Sequence, residues 1–302
     1  MWRSELSGVE RSEINAIERL AVFEGQVAEV GQGEVGSSAA VVDMGSSDSE
    51  VKVRGTLLRH VRAWEDAGAG EFALGVIKHG FRLGLSSAPS AYEEKNNKSF
   101  FEYQEFAVEA VLKLVRLDIL KEVRRDEVTC VNPLTVALNA CDKKRLCIDL
   151  SRCVNEVNSS YKFRIESTIQ FLQVVKAGDW MFSFDLKSAY HQIEMFQDHW
   201  RYLGLALEIE GVRRFFVFTC LPFGLNDAAR VLTKLLRFPL QRWRGWGIRS
   251  FIHLDDGIGA SQGRVEAQAQ ADAVKADLAR FGLMVSEEKC LWTVSQELEW
   301  TG

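Results

Sequence analysis

The chain has 302 residues, 47% of them hydrophobic and 26% charged, with a net charge of −5. It is long enough for one large or two smaller packed domains, and no uncharged apolar run approaches the ~20 residues of a membrane span. The N-terminus, Met1-Trp2-Arg3-Ser4-Glu5, lacks the apolar stretch of a secretory signal, so the expectation is an intracellular protein, not secreted and without a membrane span. The six cysteines (Cys130, Cys141, Cys147, Cys153, Cys220, Cys290) include no C-x-x-C pair and read as reduced thiols.

In chain order, residues 9–24 carry Ile14, Ile17, Leu20 and Phe23 at helical spacing. Residues 25–50 are rich in Gly, Ser, Ala and acids, too poor in apolar side chains to offset the entropy of ordering. Residues 1–50 hold ten acidic and three basic residues, which leaves +2 on residues 51–302. The first 50 residues are therefore expected to be an acidic, mostly disordered segment. A short helix is predicted over 56–67, where Leu57, Val61 and Trp64 share a face, and a longer one from 99 to about 123. Two strands over 134–138 and 146–150 make a hairpin with a basic tip. A helix over 168–176 ends at Gly178, and strands follow over 180–185, 202–209 and 213–219, the last two joined at Glu210-Gly211. A helix over 226–236, a strand ending at Asp255 and a helix over 265–281 stopped by Gly282 complete the pattern. Strands and helices in irregular order imply an α+β fold and exclude a doubly wound sheet.

Three segments carry chemistry. Phe184-Asp185-Leu186-Lys187-Ser188-Ala189-Tyr190-His191-Gln192-Ile193 places an Asp at the end of a hydrophobic run, and Phe251-Ile252-His253-Leu254-Asp255-Asp256 places an Asp-Asp in a tight turn after another. Mg²⁺ prefers oxygen ligands and sits on one or two carboxylates plus substrate phosphates. Two such ions can stabilise the attacking and leaving oxygens of an in-line displacement. Any single Asp here could be a turn former or helix cap; three after hydrophobic strands favour the metal reading. Between them lies Leu221-Pro222-Phe223-Gly224-Leu225-Asn226-Asp227-Ala228-Ala229, and the order of the three points to a nucleic acid polymerase. Residues 228–254 contain no acid, but hold Arg230, Lys234, Arg237, Arg242, Arg244 and Arg249 among Phe238, Trp243, Trp246 and Phe251. That stretch reads equally as a nucleic acid contact or as a solvated helix face.

Together these motifs resemble the reverse transcriptase domain, and among its relatives the retrotransposons of the DIRS and gypsy type. The resemblance runs from about Val51 to Gly302 and also takes in Lys144-Arg145-Leu146-Cys147-Ile148-Asp149-Leu150, which is similar to the fingers hairpin. It implies fingers (about 51–165 and 194–220) and palm (about 166–193 and 221–302) of a right-hand polymerase, the palm an antiparallel sheet backed by helices. The implied activity is RNA-directed DNA synthesis with two Mg²⁺ ions on Asp185, Asp255 and Asp256. The implied partners are dNTPs and an RNA or DNA template with its primer. Lys289 is implied as proton donor to pyrophosphate. Arg145, Lys144, Leu186, Ser188, Ala189, Tyr190, Phe223 and Gly224 are implied as nucleotide-binding, with Lys143 a further candidate for the γ-phosphate. Tyr190 stands where a polymerase that accepts ribonucleotides would carry a second Asp, and a bulky ring there would collide with the 2′-hydroxyl. Two positions depart from the family pattern, His253 for Tyr and Ala229 for Pro. Relative to the family the chain stops inside the primer-gripping hairpin, so the thumb and RNase H are expected to be absent from it, encoded elsewhere or lost. The competing expectation is a catalytically inactive, nucleic-acid-binding remnant of such an element. An RNA-dependent RNA polymerase is disfavoured by Tyr190 and Leu254, and a generic metal phosphatase or nuclease leaves the Pro-Phe-Gly segment unexplained.

Overall fold

The computed structural model describes residues 42–43, 51–138, 144–159, 161, 163, 165–166, 168–172 and 175–299. The expected helix over 9–24, Lys143 and most of the hairpin tip lie outside these residues. In chain order the elements are β1 (Val42–Asp43), α1 (Thr56–Arg59), α2 (Val61–Asp66), α3 (Glu71–His79), β2 (Tyr92–Glu93), α4 (Lys98–Glu102), α5 (Gln104–Arg116), β3 (Leu120–Val123), β4 (Cys130–Val131), β5 (Leu134–Leu138) and β6 (Lys144–Ile148). They continue with α6 (Val154–Val157), α7 (Thr168–Leu172), β7 (Trp180–Asp185), β8 (Gly204–Ile209), β9 (Val212–Phe218), α8 (Ala228–Gly245), β10 (Arg249–His253), β11 (Asp256–Ser261), α9 (Arg264–Arg280) and β12 (Leu291–Ser295).

The palm is an antiparallel sheet of order β10-β11-β7-β12, with α8 and α9 packed on one side. Strand alternation sends Phe182 and Phe184 of β7 to the helix side, where Phe184 stacks on Trp292 (5.9 Å between centroids, 7°) and meets Trp243 edge-on (5.8 Å, 89°). The rings lie across β11 because their strand partners there are glycines: Gly257 opposes Phe184, and Gly259 opposes Phe182. A Cβ on Gly257 would come within 2.0 Å of the Phe184 ring, and one on Gly259 within 2.3 Å of Phe182. On the other side Met181 joins Ile258, Ala260, Phe251 and Phe171 in a small separate core.

The fingers comprise the sheet β2-β4-β8-β9-β3 and the hairpin β5-β6, to which β1 adds as a third strand beside Arg145 and Leu146. The helices α1 to α3 pack against the back of the palm: Trp64 donates from Nε1 to the Phe281 carbonyl (2.9 Å) and its ring contacts Phe238 and Phe281.

Several features differ from the sequence expectation. The helix expected from 99 to 123 is interrupted at Tyr103 and ends at Arg116, because Asp118 takes a left-handed φ of 59° and the chain from Leu120 pairs instead with β9. The helix expected to stop at 236 continues through Pro239 to Gly245, held by the buried stripe Leu235, Leu236, Leu240 and Trp243. Burial of that stripe outweighs the one backbone hydrogen bond that proline removes. The structure also brings two of the six cysteines together. Cys130 and Cys153 lie side by side, their Cα atoms 7.0 Å apart, because β4 and the turn before α6 converge on the Ser90 carbonyl. That convergence follows from sheet pairing and leaves no trace in cysteine spacing.

Candidate active site

The palm sheet aligns two separate motifs. Asp185 closes β7, Asp256 opens β11, and the two are Cα partners in the antiparallel register. Leu254 and Asp255 form the two-residue turn between β10 and β11, whose flanks His253 and Asp256 are themselves partners. Leu254 has φ 55°, a left-handed conformation that costs a leucine about 1 kcal/mol. The main chain of the first motif is tied on both sides: the Leu186 amide donates to the Asp255 carbonyl and the Ser286 amide to the Asp185 carbonyl, each at 2.9 Å.

Gln192, buried, anchors the loop that follows. Its Nε2 donates to the carbonyls of Lys187 (2.8 Å) and Met284 (2.9 Å), while its Oε1 accepts from the Met284 amide (2.9 Å). Ser188 is exposed at φ 46°. Leu186 and Ala189 are buried in the main core, so only their main chain faces outward. Lys289, on the segment after α9, reaches Asp185 (Nζ to Oδ2, 3.5 Å).

Burial dominates the electrostatics, and crowding of negative charge adds to it. Burial, reinforced by the Asp185 carboxylate, raises the Asp255 pKa above the ordinary carboxylate range. Burial and the charges of Asp255 and Asp185 push Asp256 up to about 6. Lys289 and His253 offset both in part. Among the described residues no three His, Cys, Asp or Glu side chains are arranged to close a cation site by themselves. The donor set nevertheless fits a hard divalent cation. Its members are all carboxylate oxygens, Asp255 and Asp256 are held partly out of water beside the Asp185 charge, and such an ion takes its remaining ligands from substrate phosphates and water.

Beside the carboxylates stands an aromatic wall. Tyr190 and Phe223 meet edge-on (4.6 Å, 86°), and burial, with the Asp255 charge adding, raises the Tyr190 phenol to about 12. Gly224, at φ 81°, is held by its carbonyl, which accepts from Asn155 Nδ2 (2.8 Å). Asn226 continues this seam: its amide donates to Asn155 Oδ1 (3.0 Å), and its Oδ1 accepts from Asn158 Nδ2 (2.6 Å). The Pro-Phe-Gly segment is thus fastened to α6 by asparagines.

The structure therefore brings together Asp185, Asp255, Asp256 and Lys289, and brings Tyr190 together with Phe223. Lys144 is directed elsewhere. Its ammonium lies 4.7 Å from the Tyr103 ring centroid, lining an acidic groove with Glu102, Glu105 and Glu109, and Arg145 next to it alternates to the opposite side of β6. The basic stretch of 228–254 is largely committed within the fold. Arg230 binds Asp227, Arg242 binds Asp277, Arg244 binds Glu166 and Arg249 binds Asp179, while Lys234 covers the Phe72 ring. Arg237 is the exception among the described residues. Sequence reasoning left Gln192, Asn155, Asn158 and Asn226 without roles. Their only signal is an uncharged polar side chain inside or beside a motif, and the partners that give them meaning lie up to 92 positions away.

The family described as "Reverse transcriptase (RNA-dependent DNA polymerase)" has a sequence model that matches residues 124–302. Among solved structures, the foamy viral protease–reverse transcriptase in complex with an RNA/DNA hybrid aligns with TM-score 0.57 and 17% identity, over 69% of this chain and 26% of that one. The native prototype foamy virus protease–reverse transcriptase aligns with TM-score 0.55 and 15% identity, over 70% and 27%. The foamy viral dRH form in complex with double-stranded DNA aligns with TM-score 0.53 and 17% identity, over 72% and 35%. At these identities the likeness shows a shared polymerase fold, and the chain spans between a quarter and about a third of those proteins' length. No curated protein matches the chain in sequence. No helix of the described residues is long and apolar enough to cross a membrane.

Proposed function

The chain belongs to the reverse transcriptase (RNA-dependent DNA polymerase) family, whose match covers more than half of it, and from that premise we propose that it is the fingers and palm of a retrotransposon reverse transcriptase of the DIRS or gypsy type. Its reaction is transfer of a deoxynucleotide from a dNTP to a primer 3′-hydroxyl on an RNA template, inside the cell. The observation that carries this reading is the register that sets Asp185 opposite Asp256, with Asp255 in the intervening turn and Lys289 alongside.

In this reaction the primer 3′-oxygen attacks the α-phosphate, and pyrophosphate leaves. Asp185 and Asp255, with Asp256 as a third, would hold two Mg²⁺ ions, which when bound stabilise charge on the attacking and leaving oxygens. The tied main chain of Asp185 and Asp255 holds the carboxylates in place before substrate arrives, which lowers the reorganisation needed at the moment of reaction. Lys289 carries a proton within reach of Asp185 and delivers it to the departing pyrophosphate. Tyr190, backed by Phe223, closes the space that a 2′-hydroxyl would need and so favours deoxynucleotides. Arg145 serves the incoming nucleotide from the fingers hairpin, its planar guanidinium able to stack and to bind phosphate at once.

The test is primer extension by the purified chain on an RNA template with dNTPs and Mg²⁺, beside Asp185→Asn and Asp255→Asn. Extension by the wild type that both variants lose is the expected result. Template binding with no Mg²⁺-dependent extension would leave the inactive remnant as the better description. Extension retained in either variant would refute the carboxylate assignment.

A further inference from the structure

Behind the aromatic wall lies a buried histidine that the mechanism above does not use. His191 follows Tyr190 in the 3-10 turn Ala189–Gln192 and is 4% exposed. Its ring lies parallel to Phe218 of β9 (6.5 Å, 22°) and edge-on to Phe223 (5.4 Å, 86°). Phe223 in turn stands edge-on to Tyr190. Four rings from three separate stretches of chain thus form one contact path, from the fingers sheet through His191 and Phe223 to Tyr190. The Nε2 of His191 is buried and has no hydrogen-bond partner among the described residues. The side chains of Leu114, Leu134, Leu146, Ile148 and Leu205 line the same small apolar cavity.

We propose that His191 is a positioning residue for sugar selection, its flat ring fixing Phe223 and, through Phe223, the place of the Tyr190 ring against the nucleotide sugar. The inference rests on the polymerase reading and adds a determinant outside the nucleotide pocket. Three physical arguments carry it. Tyr190 alone does not set its own position, since one side of its ring bears on Phe223. Phe223 meets two rings at nearly the same angle, so the loss of either neighbour frees it to turn. An imidazole with a buried, unpartnered nitrogen in an apolar cavity is a poor choice for packing alone. What it does supply here is a flat ring face of defined size, a contact that a phenyl ring reproduces and an aliphatic chain does not.

The experiment compares wild type, His191→Ala, His191→Leu and His191→Phe for incorporation of a dNTP and its matching rNTP opposite one template base, reading the ratio of kcat/KM. Discrimination against the rNTP should fall by about three- to tenfold in the Ala and Leu variants, as suits the loss of one edge-to-face contact, mainly through a lower KM for the rNTP. The Phe variant should restore it. Leu fills the volume, so it carries the test if Ala fails to fold. A folded Ala or Leu variant with the wild-type ratio overturns the proposal, as does a Phe variant that loses as much as Leu. A second readout needs no turnover: the ring resonances of ¹³C-labelled Tyr190 at neutral pH, identified with Tyr190→Phe, should move in the Leu variant and return in the Phe variant. Unmoved resonances overturn the positioning whatever the activity. Moved resonances in a chain that extends no primer would support the positioning and sink the polymerase reading instead.

Discussion

The helix face of the palm sheet and the turn at the end of its strands are built on opposite terms. Towards α8 and α9, Phe182 and Phe184 fill the space left by Gly259 and Gly257 and pack against Trp243 and Trp292, with Trp243 Nε1 donating to the buried Asp277 carboxylate at 2.9 Å. At the β10–β11 turn, a leucine sits in a left-handed conformation, and burial beside the Asp185 charge raises the pKa of Asp255 and Asp256. The helix face stabilises the sheet, and the turn gives up part of that stability to hold three carboxylates together in a partly buried place.

The comparison can be broken most severely from the helix side. Gly257→Ala puts a methyl group into the Phe184 ring, which Trp292 and Trp243 prevent from retreating. The fold should lose about 3 kcal/mol, measured as a fall in the urea midpoint at unchanged slope. An unaltered midpoint would show that the rings are free to shift.

Acid should weaken a separate part of the core, the ring cluster around the buried imidazole of His191. Burial lowers the His191 pKa from 6.5 to about 4. The stability this neutral ring contributes is fully present above pH 6.5. It is lost as pH falls towards 4, because there the unfolded chain binds a proton that the fold refuses. Up to about 3 kcal/mol is at stake, and His191→Phe should flatten that part of the stability–pH curve.

The turn should respond with the opposite sign. With its folded pKa raised to about 6, Asp256 opposes folding most above that pH, and the penalty disappears below the unfolded value of 3.8. Asp256→Asn should therefore stabilise the metal-free chain at pH 7 by about 2 kcal/mol while impairing extension. A destabilised variant would mean that the carboxylate is satisfied as it stands. The smallest effect expected is at Leu254. Leu254→Gly relieves the left-handed leucine but adds freedom to the unfolded chain, a net gain of about 0.5 kcal/mol seen as a slightly higher Tm.

Much of the site was legible because its parts are local. A strand ending in Asp, a two-residue turn holding another, and a Pro-Phe-Gly loop each announce themselves within ten residues, and their order carries the family resemblance. The neighbours that hold them were not legible. Nothing near Gln192 names Met284, and nothing near Gly224 names Asn155. The basic run of 228–254 looked like a candidate nucleic acid surface because its acidic partners, Glu166, Asp179, Asp227 and Asp277, all lie outside that run.

By itself the amino-acid sequence determined the α+β class, six of the twelve described strands, and the local motifs that place Asp185, Asp255 and Asp256 at strand ends, since period, turn formers and carboxylate placement act over a few positions. Only the tertiary structure decided that Asp256 faces Asp185, that the helix runs on through Pro239, and that His191 stands behind Phe223 and Tyr190. Those outcomes depend on which apolar surfaces find each other across tens of residues. Burial is proportional to area and indifferent to the distance along the chain at which the area is found.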